Sequence, residues 1–382
     1  MAEKLKSSAD VTIIGGGVIG LAIARALAQR GAGDVCLIER NSLGLEASFA
    51  AAGMLAPQAE ANSQDDFFNL ACRSRDLYPN FAASLRDETG IDVELDTTGT
   101  LYLALTYEDL VDIEKRYEWQ TAAGLPVEKL TASEARQLEP CINESVVGAL
   151  RFPLDLQVEN RRLLSALTNS VEKLGVTILT GTIVSSLDIE RDRVAGVMTS
   201  RGFISSRAVV IAAGTWSSFI RFNPESAKPA LAIEPVRGQM MSFDARPQVT
   251  RHVIYTPRGY IVPRQDGRLL AGSTSENAGF ARQVTAGGIG SILQNALEIS
   301  PAISALPIVD TWAGLRPRAP DNLPVLGPCD EIGGLFYATG HYRNGILLAP
   351  VTGELITEAI VAGVTSPLLG PFSPSRFELV RA

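Results

Sequence analysis

Apolar positions along the 382-residue chain repeat with two periods, one of strands and one of helices, and both are already present in their first cluster. Val11-Thr12-Ile13-Ile14 is an uncharged run suited to a strand buried on both faces, and it leads straight into Gly15-Gly16-Gly17-Val18-Ile19-Gly20. Residues 21–28 then carry the small and aliphatic side chains of a buried helix, and Val35-Cys36-Leu37-Ile38 is a second apolar run that ends in an acid, Glu39. Strand, helix and strand in this order form a βαβ unit and predict a parallel sheet. The spacing of Phe68, Cys72, Leu77, Phe81 and Leu85 predicts an amphipathic helix over 65–89, interrupted near Pro79. A strand is expected at 100–104, a helix at 108–122, and Thr131-Ala132-Ser133-Glu134 has the spacing of a capping box that opens a short helix before Pro140.

Residues 160–174 predict a helix facing inward through Leu163, Leu164, Leu167 and Val171, with 176–179 as the next strand of the first sheet. Segments 182–187, 194–199 and 203–205 read as a small antiparallel ribbon. A separate buried strand, Val209-Val210-Ile211-Ala212-Ala213, ends at Gly214, at the same sheet edge as the glycine turn after Ile14. Between 231 and 306, strands at 239–243, 252–255, 259–263 and 268–272 and a helix at 287–298 predict an antiparallel sheet able to roof a ligand pocket. Near the C-terminus an apolar strand reaches Gly340 and opens a helix running to about residue 362. The first amides of that helix lack partners and favour negative charge in front of them. The expected fold class is α/β, a Rossmann-like nucleotide-binding domain (1–90, 151–230 and 311–382) interleaved with an antiparallel-sheet substrate domain (91–150 and 231–310).

Composition narrows the partners. Hydrophobic residues make up 46% and charged residues 20% of the chain, with no run of eighteen apolar positions, so a soluble globular protein without a membrane span is expected. The first seven residues hold no apolar leader core, which points to the cytoplasm. A net charge of −8 argues against nucleic acid as a general partner. Cys36, Cys72, Cys141 and Cys329 form no CxxC, and His252 and His341 are the only histidines, so neither a metal site nor a Ser-His-Asp hydrolase is expected.

The glycine spacing carries the first chemistry. Gly15 permits a tight turn, Gly17 lets backbone approach a pyrophosphate, and Gly20 lets the helix lie close to the strand, while Glu39 stands where a carboxylate accepts hydrogen bonds from a ribose. Residues 40–57 have only Arg40 and Glu46 as charges; their small side chains suit either a flat ring system or a tightly packed helix. Arg316 closes an apolar run before Pro317, and a buried guanidinium there requires an anion, either an internal Asp or Glu or a substrate carboxylate.

Five stretches, Ile13 to Gly20, Ala51-Ala52-Gly53-Met54-Leu55, Tyr260-Ile261-Val262-Pro263-Arg264, Ala313-Gly314-Leu315-Arg316-Pro317 and His341-Tyr342-Arg343-Asn344-Gly345-Ile346-Leu347, together resemble the FAD-dependent amine and amino-acid oxidoreductase family of D-amino-acid oxidase, sarcosine oxidase and glycine oxidase, nearest to its glycine oxidase branch. The resemblance covers the chain from end to end. It implies FAD held by Val18, Ile19, Glu39, Arg40, Ala47, Ser48, Ala52, Gly53, Met54, Val184 and the segment from His341 to Leu347, to which the glycine turn and Gly214, at its strand end, add the positions read from the pattern itself. The substrate is then expected to meet Arg316, Tyr260 and Arg343. The implied reaction moves a hydride from Cα of glycine, sarcosine or a small D-amino acid to the flavin, giving after hydrolysis a 2-oxo acid and ammonia, with O2 reduced to hydrogen peroxide; a link to thiamine biosynthesis goes with that branch. A dehydrogenase using a quinone or other carrier, or a flavin subunit of a larger complex, are the alternatives, and a homo-oligomer is expected. No cysteine stands where sarcosine oxidase relatives attach their flavin, so FAD is expected to be non-covalent. Arg258, where glycine oxidase tends to carry a histidine, and Ser275, where it has a methionine, are pocket-side positions by that resemblance; an inward Arg258 could accept a second carboxylate, but beside Pro257 and Gly259 a solvated arginine is the favoured reading.

Overall fold

The computed structural model describes residues 7–224 and 231–377; the N-terminal stretch 1–6, in which no leader core is expected, lies outside the described residues. Two large sheets organise the chain. The first has nine strands. In its parallel half Ser8–Ile14 lies between Val35–Ile38 and Gly202–Ile211, flanked by Thr177–Leu179 on one side and Leu335–Thr339 on the other. These strands read as continuous apolar runs because both of their faces are covered. On one face the helices Val18–Gln29, Asp66–Thr89, Asn160–Lys173 and Gly345–Val361 share a core with Ile13, Leu37 and Val210. On the other, Ile14, Ile38, Val209 and Ile211 pack against Leu187, Val197 and Ile204 of the antiparallel ribbon.

That ribbon corrects one expectation. Its third strand and the buried parallel strand are a single element, Gly202–Ile211, which pairs antiparallel with Arg193–Thr199 at its start and parallel with Ser8–Ile14 beyond it. Half-exposed alternation over its first residues gives way to full burial, so one strand has two sequence patterns. A second correction concerns Asp66–Thr89, which runs unbroken through Pro79. Pro79 lies on the exposed face, where water can take the carbonyl its missing N–H leaves free, while Phe68, Ala71, Ser74, Tyr78 and Leu85 hold the other face in the core. The buried stripe is therefore rotated from the expected one, leaving Cys72, Leu77 and Phe81 half-buried.

The second sheet has eight strands, in the order Ile308–Arg318, Glu234–Asp244, Arg268–Gly272, Gly259–Pro263, Val253–Thr256, Thr100–Ala104, Gly148–Phe152, Glu128–Thr131. It is antiparallel except where Val253–Thr256 runs parallel to Thr100–Ala104. The divisions expected at 151 and 311 cut through two of its strands; residues 311–318 pair along Glu234–Asp244 and belong to this sheet, not to the nucleotide sheet. The helix Ala286–Ile299 covers its outer face. Its inner face, with Tyr102, Met240, Tyr255 and Tyr260, meets Ala52, Ala56 and Ala59. The capping box at Thr131 and Glu134 forms as its spacing predicts. Among the described residues no helix is long and apolar enough to cross a membrane.

Candidate active site

The glycine turn forms as its spacing requires. Gly15 has φ +113°, and a Cβ there would come within 2.4 Å of Ala212 O, so only glycine makes the turn. A Cβ on Gly20 would lie 1.9 Å from Gly15 O, which explains how closely the helix Val18–Gln29 lies on its strand. Glu39 Oε2 accepts from Gly16 N at 2.8 Å and its Oε1 from Asn41 N at 2.9 Å, so the carboxylate closes the turn from the adjacent strand end. Ser48 Oγ accepts from Val18 N at 3.1 Å.

Residues 40–57 form no long packed helix; they pack closely on one side and line a cavity on the other. A four-residue helix, Ala47–Ala50, is followed by extended chain. On one side the small residues let other backbone come close: a Cβ on Gly314 would lie 2.5 Å from Ala50 Cβ, and one on Gly53 would lie 2.1 Å from Val158 O. On the other side Ala47, Ser48, Ala52, Gly53 and Met54 line a cavity. Arg40 and Glu46 pair with each other at 2.6 Å, and the Arg40 guanidinium stacks 3.5 Å over the Trp216 ring.

That cavity, of about 360 Å³, runs between the sheets and is within the range of roughly 300–1,000 Å³ typical of small-molecule sites. Gly15, Gly17, Val18, Ile19, Glu39, Arg40, Val184 and Gly214 line one end. His341, Tyr342, Arg343, Asn344, Gly345 and Ile346 line the other, with Tyr260 and Arg316. Gly20 and Leu347 do not line it: Gly20 is spent on the helix contact, and Leu347 is core, its carbonyl accepting from Ser74 Oγ at 2.6 Å. The helix Gly345–Val361 starts at Asn344 with no side-chain cap, so the dipole and amides of its first turn face the cavity unopposed. His341 is buried with Nε2 3.2 Å from Thr352 Oγ1, and burial pushes its pKa down to about 3, so the imidazole is a neutral structural group.

At the second sheet, Arg316 donates from Nη2 to Ser273 Oγ at 2.7 Å and from Nη1 to Thr274 O at 3.0 Å. Both of these partners are neutral, and among the described residues no acidic side chain pairs with it. Tyr260 is buried with its hydroxyl directed at Met240 Sδ, 3.3 Å away; sulfur is a weak acceptor, so the proton is free to be redirected. Arg343 behaves differently. Its Nη2 is 3.4 Å from Glu60 Oε1, which also accepts from the Tyr255 hydroxyl at 2.5 Å, and Glu60 holds the Arg343 guanidinium firmly protonated.

Neither Arg258 nor Ser275 lines the cavity. Arg258 forks onto Asp109 at 2.9 and 3.3 Å and reaches Glu298 at 3.2 Å, because the turn at Pro257 and Gly259 aims it at the helix Tyr107–Ala122. Ser275 is exposed, with its hydroxyl 3.4 Å from that of Tyr342. Glu60 was missed by sequence reasoning, since one acid in an alanine-rich stretch carries no local signal. Arg264 has no signal of its own beyond its place in a motif. Buried at the sheet junction, it donates to Ala52 O at 2.6 Å and Val158 O at 2.9 Å, and so fixes the pocket segment from behind; desolvation lowers its pKa to about 10.

Fold and site together define a protein that holds a dinucleotide beside a cationic substrate pocket. The chain belongs to the DAO family of FAD dependent oxidoreductases, whose model matches residues 10–359. It is 39% identical to a glycine oxidase of Geobacillus kaustophilus over 96% of this chain and 97% of that one. It is also 38% identical to the bifunctional protein ThiO/ThiG of Trichormus variabilis, over 97% of this chain and 55% of that longer protein. The crystal structure of glycine oxidase from Geobacillus kaustophilus superposes with a TM-score of 0.92 at 37% identity, covering 98% of this chain and 100% of that one. The cofactor is FAD. The residues present fit it: one continuous cavity joins the glycine turn to an uncapped helix start, and none of the four cysteines lines it.

Proposed function

We propose that this enzyme catalyses oxidative deamination of glycine and other small amines or D-amino acids, yielding a 2-oxo acid, ammonia and hydrogen peroxide. The observation that carries the reading is the Arg316 guanidinium, facing the cavity with neutral partners and no carboxylate among the described residues. A substrate carboxylate completes it, and the hold of Ser273 and Thr274 on one edge of the fork fixes the direction in which the other donors point. The Tyr260 hydroxyl, turned from Met240, supplies a further donor to the same carboxylate. Two donors then fix the position and plane of the carboxylate and so the place of Cα, and positioning lowers the barrier.

FAD, which we assign to the lining residues from Gly15 and Glu39 through Ala47, Ser48, Met54, Val184 and Gly214 to Ile346 and take to be bound non-covalently, supplies the acceptor for the hydride. The uncapped backbone amides at Gly345 would stabilise negative charge on a reduced ring held in front of them. Among the described residues no lysine lines the cavity, and its one histidine is buried and neutral. This suits a substrate that reacts as the neutral amine and needs no strong base. The similarity to glycine oxidases and to ThiO/ThiG supports the reaction and the thiamine link.

Anaerobic mixing of the purified protein with a panel of small amines, monitored by flavin absorbance, tests this directly. Glycine and sarcosine should bleach the flavin, D-alanine should do so as well, and air should restore the colour with release of peroxide. Bleaching by L-alanine faster than by both glycine and D-alanine would reject the assignment. Bleaching without peroxide on aeration would point to a dehydrogenase.

A further inference from the structure

The substrate end of the cavity contains two guanidiniums but needs only one for an amino acid. Arg316 has no acid partner among the described residues, whereas Arg343 has one, Glu60. The chain invests heavily in placing that carboxylate. Glu60 ends the short helix Pro57–Glu60, and the backbone on both sides of it is held by buried polar side chains. Asp155 accepts from Gln58 N at 3.2 Å and Ala59 N at 3.0 Å. Arg116 donates to Ala59 O at 3.0 Å and Ala61 O at 2.7 Å, bracketing Glu60, and Gln120 donates to Gln58 O at 2.9 Å. Asp155 and Gln120 have no measurable exposure, and burying such groups is costly unless each is satisfied. Their common effect is to hold one acidic side chain at the pocket wall beside Arg343.

We propose that Glu60 determines substrate class by cancelling the charge of Arg343, so that the pocket presents one uncompensated cation and selects ligands with a single carboxylate. The inference rests on the amino-acid-oxidising function proposed for this site and adds to it the residue that excludes dicarboxylates. Glu60 Oε1 serves both Arg343 and Tyr255 at the pocket wall, so a second substrate carboxylate would meet like charge there. Neutralising Glu60 leaves two guanidiniums and favours two carboxylates, one on each.

The test uses the FAD-loaded protein and two non-reacting probes, acetate and malonate, titrated against the flavin absorption spectrum. Glu60→Gln keeps the shape and an acceptor for Tyr255. It should shift the ratio of acetate Kd to malonate Kd at least tenfold in favour of malonate, and the kcat/KM ratio of iminodiacetate to glycine in the same direction. Glu60→Gln combined with Arg343→Gln should return the acetate-to-malonate ratio to the wild-type value. An equal loss for both probes in Glu60→Gln, or a shift that persists in the double variant, would overturn the inference. Should Glu60→Gln fail to retain FAD, Arg343→Gln alone carries the test: it leaves Glu60 uncompensated and should weaken acetate at least fivefold and malonate more, whereas unchanged affinity for both probes would refute the cancellation. Wild-type protein that oxidises no small amine but shows the probe switch would remove the proposed reaction and leave this inference standing.

Discussion

Gly238 sits on the strand Glu234–Asp244, directly opposite Gly314, and its missing side chain makes the room that Arg316 fills. A Cβ added there would lie 2.3 Å from Arg316 Nη1 and 2.4 Å from both Cζ and Nη2. Non-bonded carbon contacts settle at about 3.5–4.0 Å, so in Gly238→Ala the guanidinium must retreat by about 1 Å or more. Because the atoms that give way are the far end of a flexible side chain, the sheet and FAD binding should survive. The position of the fork should not. A misplacement of about 1 Å costs roughly 10²-fold, or about 2.7 kcal/mol of transition-state stabilisation. Removing the charge altogether in Arg316→Leu sets the upper limit, about 3–5 kcal/mol, or roughly two to four decades in kcat/KM, because the substrate carboxylate is left unpaired. The assay is kcat/KM for glycine together with FAD content and Tm. Gly238→Ala should keep the last two and lose about two decades of the first. Activity within about threefold of wild type in both variants, with FAD retained, would show that Arg316 is structural and that the carboxylate binds elsewhere.

Denaturing the protein in acid should release FAD into the supernatant, because no cysteine lines the cavity; flavin left in the pellet would show a covalent bond to another residue. In Gly345→Glu the added side chain has space, its Cβ 3.8 Å from His341 Cβ, and an acid there suits the helix start. The apo-protein should therefore keep or gain Tm while FAD affinity or flavin reduction falls, and unchanged values for both would exclude that helix end from the cofactor site. Burial pushes the Asp155 pKa up to about 7, against the opposing hydrogen bonds from Ala59 and Gln58. The unfolded value is about 3.9, so its contribution to stability is full below about pH 4 and is lost as pH rises through about 7. Urea melts of wild type and Asp155→Asn at several pH values in this window should show a flatter dependence in the variant, even though Asn loses one acceptor and lowers stability at every pH. Parallel profiles would place the titration elsewhere.

The glycine turn was legible because its demands are local: Gly15 needs a positive φ and Gly20 needs no Cβ, and both arise from a strand that must enter a helix within a few residues. Arg316 was legible as a cation that needs an anion, because an apolar run and a following proline predict partial burial. The choice between an internal acid and a substrate was not, since it depends on which side chains 270–275 bring beside it from another strand. Pairing across long sequence distances decided the remainder. Glu60 meets Tyr255 and Arg343, nearly 200 and nearly 300 positions away, and nothing in its alanine-rich surroundings marks it. Arg258, identical in chemistry to Arg316, is removed from the pocket by Asp109 and Glu298. The helix continues through Pro79, which faces outward while Tyr78 is locked inward, and residues 311–318 join the second sheet through register with Glu234–Asp244 rather than through any pattern of their own. Periodicity and glycine spacing record what the backbone must do over a few turns; which charges meet is settled only when distant elements pack, because an ion pair or its absence is a property of two places in the chain at once.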